Sequence, residues 1–106
     1  MVRRGDIWLV NLDPTVGSEI RKSRPCVVIS PAQMHDHLRT VIVAPMTTGS
    51  YPAPFRISVT HAGKEGLILL DQIRTIAKIR LVNHFGKIQP RTLKALLDTM
   101  QEMFSP

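Results

Sequence analysis

The fold is decided by an apolar run in the first third of the chain, Pro25-Cys26-Val27-Val28-Ile29-Ser30. Its β-branched side chains are typical of a buried strand. The residues in front of it, 15–24, are small, polar and basic, and they form a connection longer than a hairpin requires. The run therefore predicts a buried strand that follows a long polar loop.

Further short apolar segments lie on both sides of this run, and turn residues separate them. These predicted strands span residues 6–12, 40–46, 55–60, 66–70, 71–76 and 80–85. Residues 31–38 have room for one short helical turn. Pro45 suggests that strand pairing stops near the end of its segment, because proline has no backbone donor.

The pattern changes near the end of the chain, where apolar residues recur at helical spacing behind Pro90. These residues are Leu93, Leu96, Leu97, Met100 and Phe104. Many short strands followed by one amphipathic helix predict a mainly β fold, a small curled antiparallel barrel with the C-terminal helix packed on it. A length of 106 residues predicts a single domain, residues 1–106.

The charge of the chain limits its partners. Fourteen Lys and Arg against eight Asp and Glu give a net charge of +6, which favours a polyanion such as nucleic acid, an anionic membrane or an acidic protein. No apolar run approaches the roughly 20 residues that span a membrane, and no N-terminal signal sequence is visible. A cytoplasmic protein without a membrane partner is therefore expected.

Most familiar catalytic devices are missing from the sequence. There is no glycine-rich phosphate loop and no serine in a nucleophile-elbow context. Cys26 is the only cysteine, which excludes an intrachain disulfide and a cysteine zinc cluster, and it is expected to be buried. His35 and His37 flank Asp36 in a predicted turn, with His61 and His84 far away in sequence. Such a His-x-His pair could bind a metal if the segment is extended, but exposed loop histidines are expected here. We therefore expect no metal site and no cofactor.

Two polar loops remain as candidate sites, and each adjoins an apolar strand. The first carries Glu19, Arg21, Lys22 and Arg24, and the second carries Thr47, Thr48, Ser50 and Tyr51. Pro25 restricts Arg24 to extended geometry, so this arginine can present several N–H donors to a phosphate. Thr47 adds a hydroxyl at the end of its strand. The alternatives are a surface arginine at a strand end and a threonine that caps a loop.

Three groups of motifs carry a family resemblance over essentially the whole chain. The first group is Arg4-Gly5-Asp6-Ile7-Trp8, Asp13-Pro14, Gly17-Ser18-Glu19 and Arg24-Pro25 before Val27-Val28-Ile29. The others are Val43-Ala44-Pro45-Met46-Thr47-Thr48 and Leu70-Asp71-Gln72-Ile73-Arg74-Thr75-Ile76. In order and spacing they resemble the toxins of the MazF/PemK family.

The resemblance implies an SH3-like barrel of the PemK/CcdB type that works as a homodimer with an RNA groove across the interface. It implies metal-independent cleavage of single-stranded RNA, chiefly mRNA, to 2′,3′-cyclic phosphate and 5′-hydroxyl ends, and hence inhibition of translation and growth. Arg24 and Thr47 match the catalytic pair of the family. The RNA-binding residues would be Glu19, Arg21, Lys22, Thr48, Ser50 and Gln72. The implied partner is an antitoxin with an acidic C-terminal segment.

This chemistry agrees with the residues present. The attacking group belongs to the RNA, so no protein nucleophile is needed, and the enzyme must align the reacting atoms and stabilise developing charge. Arginine is a poor proton acceptor, so Arg24 is assigned electrostatic stabilisation and its part in proton transfer stays open. The loop departs from the family at Ile20, where many relatives have glutamine, and Arg21 and Lys22 make it unusually basic.

Two other functions are compatible with such a fold. A gyrase-poisoning toxin would act through its C-terminal residues, but this chain ends in Met103-Phe104-Ser105-Pro106 and lacks the Trp-Gly-Ile ending of that group. A non-catalytic RNA- or DNA-binding barrel would retain nucleic acid without cutting it, and would use Arg24 as one phosphate contact among many.

Overall fold

Seven antiparallel strands and a C-terminal helix form the architecture of the computed structural model, which describes residues 1–106. The strands are β1 (Asp6–Asn11), β2 (Ser23–Val28), β3 (Thr40–Thr47), β4 (Arg56–His61), β5 (Lys64–Leu69), β6 (Arg74–Ala77) and β7 (Leu81–Lys87). The helices are α1 (Ala32–His35) and α2 (Pro90–Met103), and 3₁₀ turns cover Leu70–Gln72 and Lys78–Arg80. Neither α-helix has the length and apolar character needed to cross a membrane.

The sheet runs in the order β4-β5-β3-β2-β1-β7, and β6 pairs with the first half of β3. It curls so strongly that its two edge strands meet, since His61 on β4 stacks on Phe85 on β7 with 6.1 Å between ring centroids. The predicted fold class, a mainly β, curled antiparallel barrel with a C-terminal helix, is therefore confirmed.

The second half of β2, Cys26–Val28, is buried on both faces, which explains its continuous apolar run. Val27 belongs to one core cluster, and Cys26 and Val28 belong to the other. The first cluster also receives α2, through the fully buried Leu96. Phe104 lies just beyond α2 and is 67% exposed, so its assignment to the apolar helix face was wrong.

Strand β3 changes partners along its length. It pairs with β2 only as far as Pro45, opposite Cys26, and then Met46 and Thr47 pair with β5. The prediction from Pro45 thus holds on the β2 side. It was wrong for the strand as a whole, because β3 continues for two residues beyond Pro45 and pairs there with β5.

His35 is buried, and the expectation of an exposed loop histidine was wrong. Its Nε2 lies 2.6 Å from the Ser30 hydroxyl, and its Nδ1 lies 2.9 Å from the carbonyl oxygen of Val2. Ser30 also accepts a hydrogen bond from the backbone N–H of Ile42. The histidine therefore ties the N-terminal segment to the strands and has no free ring nitrogen.

Candidate active site

The register of β2 and β3 brings Arg24 and Thr47 to the same place. The ladder pairs Cys26 with Pro45 and Val27 with Ala44. Continued by two residues, this register sets Arg24 opposite Thr47, and residues directly opposite each other point to the same face of a sheet. Both side chains line one cleft of about 330 Å³, which we call the Arg24 cleft.

Arg24 is half-buried and held at one end of its guanidinium group. Its backbone pairs with Val10 of β1, and its Nε donates to the carbonyl oxygen of Arg21 at 3.3 Å. That bond is the only one its side chain donates within the chain. The two terminal nitrogens are therefore free to donate to an anion, and planar donors of this kind suit phosphate oxygens.

Thr47 is the last residue of β3, and its hydroxyl oxygen accepts the backbone N–H of Gly49 at 3.1 Å. A hydroxyl can accept one hydrogen bond and donate another, so its proton is available to a substrate. Gly66 of β5 packs directly on this residue, since a Cβ at Gly66 would lie 2.7 Å from the Thr47 carbonyl oxygen. The backbone of Thr47 is thus positioned by a contact that only glycine permits.

The β4–β5 hairpin forms the far wall of the Arg24 cleft. His61 and Lys64 both line it, and they are paired across a two-residue turn. That turn is Ala62-Gly63, with φ of 53° and 75°, the left-handed geometry of a hairpin turn that suits the twist of the strands. The sequence alone does not single out these two side chains, because His61 has no histidine near it in the sequence and residues 61–65 lie between two predicted strands. Gly63 behind an alternating strand was the available signal.

The other residues of the second loop lie next to this cleft. Thr48 lines it, and Thr47 and Thr48 also border an adjoining cleft of about 460 Å³ that contains Ser50. The Ser50 hydroxyl accepts from Nη1 of Arg56. Part of its hydrogen-bonding capacity is therefore used to order the loop.

Arg56 anchors this loop to the 3₁₀ turn behind it. Its Nε and Nη2 donate to the two carboxylate oxygens of Asp71 at 3.1 and 3.0 Å. These hydrogen bonds hold the pKa of Asp71 below its usual value, although partial burial opposes the shift, and they raise the pKa of Arg56. The guanidinium carbon also lies 5.5 Å from the centre of the Tyr51 ring.

Glu19 and Gln72 do not line the Arg24 cleft. They line a separate cleft of about 380 Å³, together with Ile20 and Arg74. Glu19 accepts the backbone N–H of Val16 at 2.6 Å, and Gln72 accepts the N–H of Ile20 at 2.9 Å. These side chains hold the first loop in place in this structure, so the predicted site residues divide between two regions.

Arg21 and Lys22 are exposed in the loop that joins the two regions. Arg21 donates to the carbonyl oxygen of Gly17 at 3.3 Å, and Lys22 has a left-handed backbone with φ of 65°. The Lys22 ammonium has no partner in the chain, although its backbone N–H is bound by Asp13 at 3.0 Å. Both cations are accessible to a polyanion near Arg24.

Cys26 is a free cysteine that is fully buried, and its thiol is not accessible for reaction. Burial raises the pKa of its thiol to about 12, and the Arg74 charge opposes this shift. A thiol in this state is not a nucleophile at neutral pH. No group of three or more His, Cys, Asp or Glu side chains lies together in a way that could hold a metal ion.

Comparison with known proteins identifies relatives over most of the chain. Endoribonuclease PemK of Escherichia coli is 39% identical over 80 residues, which cover 71% of this chain and 60% of PemK. Endoribonuclease toxin MazF of Escherichia coli K12 is 33% identical over 93 residues, covering 87% of this chain and 84% of MazF. The match thus spans less than two thirds of PemK but most of MazF.

Solved structures share the fold. MazF from Deinococcus radiodurans superimposes with a TM-score of 0.82 at 22% identity, covering 96% of this chain and 94% of that one. A mycobacterial endoribonuclease in complex with its cognate antitoxin gives 0.80 at 18% identity, covering 96% and 93%. The family model described as PemK-like, MazF-like toxin of type II toxin-antitoxin system matches residues 3–104. The chain therefore belongs to the PemK-like, MazF-like toxin family of type II toxin-antitoxin systems.

Proposed function

We propose that this chain is the toxin of a type II toxin-antitoxin system and that it cleaves single-stranded RNA, chiefly mRNA, without a metal ion. Residues 1–106 act as one endoribonuclease domain, and cleavage inhibits translation and growth. The observation that carries the proposal is the meeting of Arg24 and Thr47 in one cleft, at the end of the β2–β3 ladder.

The proposed reaction uses a nucleophile that the RNA supplies. The 2′-oxygen attacks the adjacent phosphorus, a new 2′-O–P bond forms, and the P–O5′ bond breaks to leave a 2′,3′-cyclic phosphate and a 5′-hydroxyl. Negative charge gathers on the non-bridging oxygens in the transition state. The free terminal nitrogens of Arg24 and the hydroxyl of Thr47 donate to these oxygens, and fixed donors of this kind lower the barrier.

RNA binding extends from this cleft along the basic loop. The exposed Arg21 and Lys22 contact the phosphates of the RNA backbone. Thr48 and Ser50 contact the RNA from the opposite side. Glu19 and Gln72 are assigned to bases farther along the RNA, since their cleft is separate from the Arg24 cleft.

The proposed partners follow from charge and family. A net charge of +6 suits RNA, and it equally suits an antitoxin with an acidic C-terminal segment that competes for the same surface. The mycobacterial relative solved with its cognate antitoxin supports such a partner. We propose further that the chain is cytoplasmic and works as a homodimer.

The test is incubation of the purified protein with a long RNA, followed by mapping of 5′ ends and analysis of end chemistry. We expect cuts at a short recurring sequence, 2′,3′-cyclic phosphate ends, and full activity in excess EDTA. A substrate with a 2′-deoxy nucleotide at the mapped site should resist cleavage. Retention of RNA without cuts would favour the non-catalytic barrel, and inhibition of gyrase without cuts would favour the gyrase-poisoning toxin.

A further inference from the structure

Cleavage by the 2′-oxygen leaves one chemical requirement that Arg24 and Thr47 do not meet. The attacking hydroxyl must lose its proton as the 2′-O–P bond forms. Arginine stays protonated at neutral pH, and a threonine hydroxyl is a very weak base. A base held in the Arg24 cleft would accept that proton more effectively than solvent water does.

His61 is the one histidine that lines this cleft. Its three counterparts are elsewhere: His35 is buried and fully hydrogen-bonded, His37 is exposed after α1, and His84 stacks on Trp8 beside Asp6. Histidine is the side chain that exchanges protons most readily between about pH 5 and 8.

The imidazole of His61 is both oriented and accessible. One side stacks on Phe85, with 28° between the ring planes, so the ring plane is restrained by the meeting of the two sheet edges. No hydrogen bond within the chain occupies either ring nitrogen, unlike the ring of His35. The side chain is half-buried, so it keeps a path to substrate.

No other charged group that lines the cleft is a base that could compete with His61 for the proton. Lys64 faces it across the hairpin turn, and Arg24 lies on the opposite wall, so both other charged groups of the cleft are cations. The neighbouring Phe85 of β7 is uncharged, and α2 packs onto the core through apolar residues such as Leu97. Among the residues that line the cleft there is no carboxylate.

We propose that His61 is the proton acceptor of the cleavage reaction, an inference that rests on the proposed endoribonuclease function. The imidazole takes the proton of the 2′-hydroxyl while the 2′-O–P bond forms. The P–O5′ bond then breaks, and the departing O5′ takes a proton from water. The imidazolium returns its proton to solvent before the next cycle, so atoms and charges balance.

The test is the pH dependence of kcat/KM on a short RNA that contains one cleavage site. In the wild-type protein the logarithm of kcat/KM should fall with unit slope as the pH drops and the imidazole becomes charged. His61→Ala and His61→Gln should lose at least about a hundredfold at neutral pH, the low end for general-base catalysis. In both variants the decline of kcat/KM at low pH, the acid limb of the pH profile, should also disappear, while KM stays nearly unchanged.

Chemical rescue separates proton transfer from a structural role. Free imidazole should restore part of the activity of His61→Ala, in proportion to its unprotonated fraction, and leave Arg24→Ala unaffected. His37→Ala is the matched control, because that histidine is exposed outside the cleft and its loss should change neither rate nor profile. Circular dichroism checks that each variant is folded.

The outcomes distinguish the inference from the proposed function. If the wild type cuts and both His61 variants keep the acid limb and rates within about threefold, His61 is not the acceptor. Folded variants that lose activity without imidazole rescue, and with the limb intact, would overturn it as well. If the wild type cuts no RNA at any pH, the proposed function fails instead.

Discussion

Arg24 is the residue on which the proposed mechanism depends most. Its terminal nitrogens are free, while its Nε is held by the Arg21 carbonyl. Arg24→Ala should lower cleavage by at least roughly a hundredfold, the scale for losing a preorganised donor to developing charge. Arg24→Lys should recover little of the cleavage activity, because the flexible lysine ammonium cannot reproduce the planar set of donors on the guanidinium group. Single-turnover cleavage rates measure this.

Controls for Arg24 come from its own loop. RNA binding should fall much less than cleavage, because Arg21 and Lys22 still meet the backbone, and Arg21→Ala should keep most of the catalytic rate. The host should survive expression of Arg24→Ala without antitoxin. Unfolding of Arg24→Ala would show that the arginine is a strand anchor. Near-normal cleavage by both Arg24→Ala and Thr47→Ala would refute the assignment of the site.

Asp71 makes stability depend on pH in a predictable direction. Arg56 holds the pKa of this carboxylate below its usual value in the folded protein. The stabilisation is therefore fully present above the unfolded value, about 3.9, and is lost as the pH falls through the lower folded value. Asp71→Asn should cost about 0.5–1 kcal/mol at pH 7 and little at pH 2, as measured by denaturant unfolding at a series of pH values.

The matched control for Asp71 is Asp98, which pairs with Lys94 at 2.9 Å on the exposed face of α2. Asp98→Asn should change stability by a few tenths of a kcal/mol. The bidentate geometry and the 14% exposure of the Arg56 side chain set the two pairs apart. Equal effects of the two substitutions on the free energy of unfolding would mean that the bidentate Arg56–Asp71 contact adds no more stability than an exposed ion pair.

The packing of β5 on the end of β3 positions Thr47. Gly66→Ala would push a methyl group to within 2.7 Å of the Thr47 carbonyl oxygen. We expect a loss of roughly 1–3 kcal/mol in the free energy of unfolding, the cost of overpacking. Cleavage should fall further than stability explains, because the Thr47 hydroxyl moves. Thermal unfolding and cleavage rates of the same samples test both parts.

Gly49→Ala is the control for Gly66→Ala, because it approaches the same threonine without a clash. A Cβ there would lie 3.8 Å from the Thr47 hydroxyl oxygen, an ordinary contact, and its backbone is not left-handed. Stability and cleavage should stay near wild type. If Gly66→Ala behaves as Gly49→Ala does, the β3–β5 contact does not position the site.

The elements themselves were predictable from local pattern, and their pairing was not. The apolar run of β2 predicted burial, and helical spacing after Pro90 predicted α2, because both signals are contained in neighbouring residues. The meeting of Arg24 and Thr47 depends on the register between β2 and β3. His61 joins them only through a hairpin turn and the curling of the whole sheet.

Errors of sequence reasoning share the same physical origin. His35 was expected in solvent because its neighbours are polar, but the partners that bury it, Ser30 and Val2, lie on other segments. Glu19 and Gln72 lie on different segments of the chain, and the structure sets them around a cleft separate from the Arg24 cleft; their role in RNA binding stays a prediction. Tertiary contacts decide such cases, and a single sequence does not record them.

The exposed apolar side chains of β7 give a reason to expect a second copy of the chain. Val82 and Phe85 on this strand are 52% and 44% exposed, and apolar side chains exposed in this way are often covered at a protein interface. We predict a homodimer by light scattering at micromolar concentration. Val82→Glu should shift it toward monomer, whereas Val16→Glu, on an exposed loop, should not. A wild-type monomer that still cuts RNA would rule out the dimer as the working form.

The net charge of +6 predicts that RNA affinity depends steeply on the salt concentration. Each phosphate contact releases condensed counterions, so about four contacts give a slope of log affinity on log salt near −3 for a single strand. Combining Arg21→Gln with Lys22→Asn should make the slope shallower by about 1.4, two contacts' worth. Asparagine is chosen because it tolerates the left-handed backbone of Lys22.

Affinity should be measured by fluorescence anisotropy with an uncleavable 2′-deoxy-substituted RNA over a range of salt concentrations. Lys94→Gln is the control, because this exposed lysine lies on α2 and is paired with Asp98. Its slope should match that of the wild type. A double variant that keeps the full slope would place the RNA backbone away from the basic loop. The Arg24 cleft would then have to bind RNA through Arg24 and Lys64 alone.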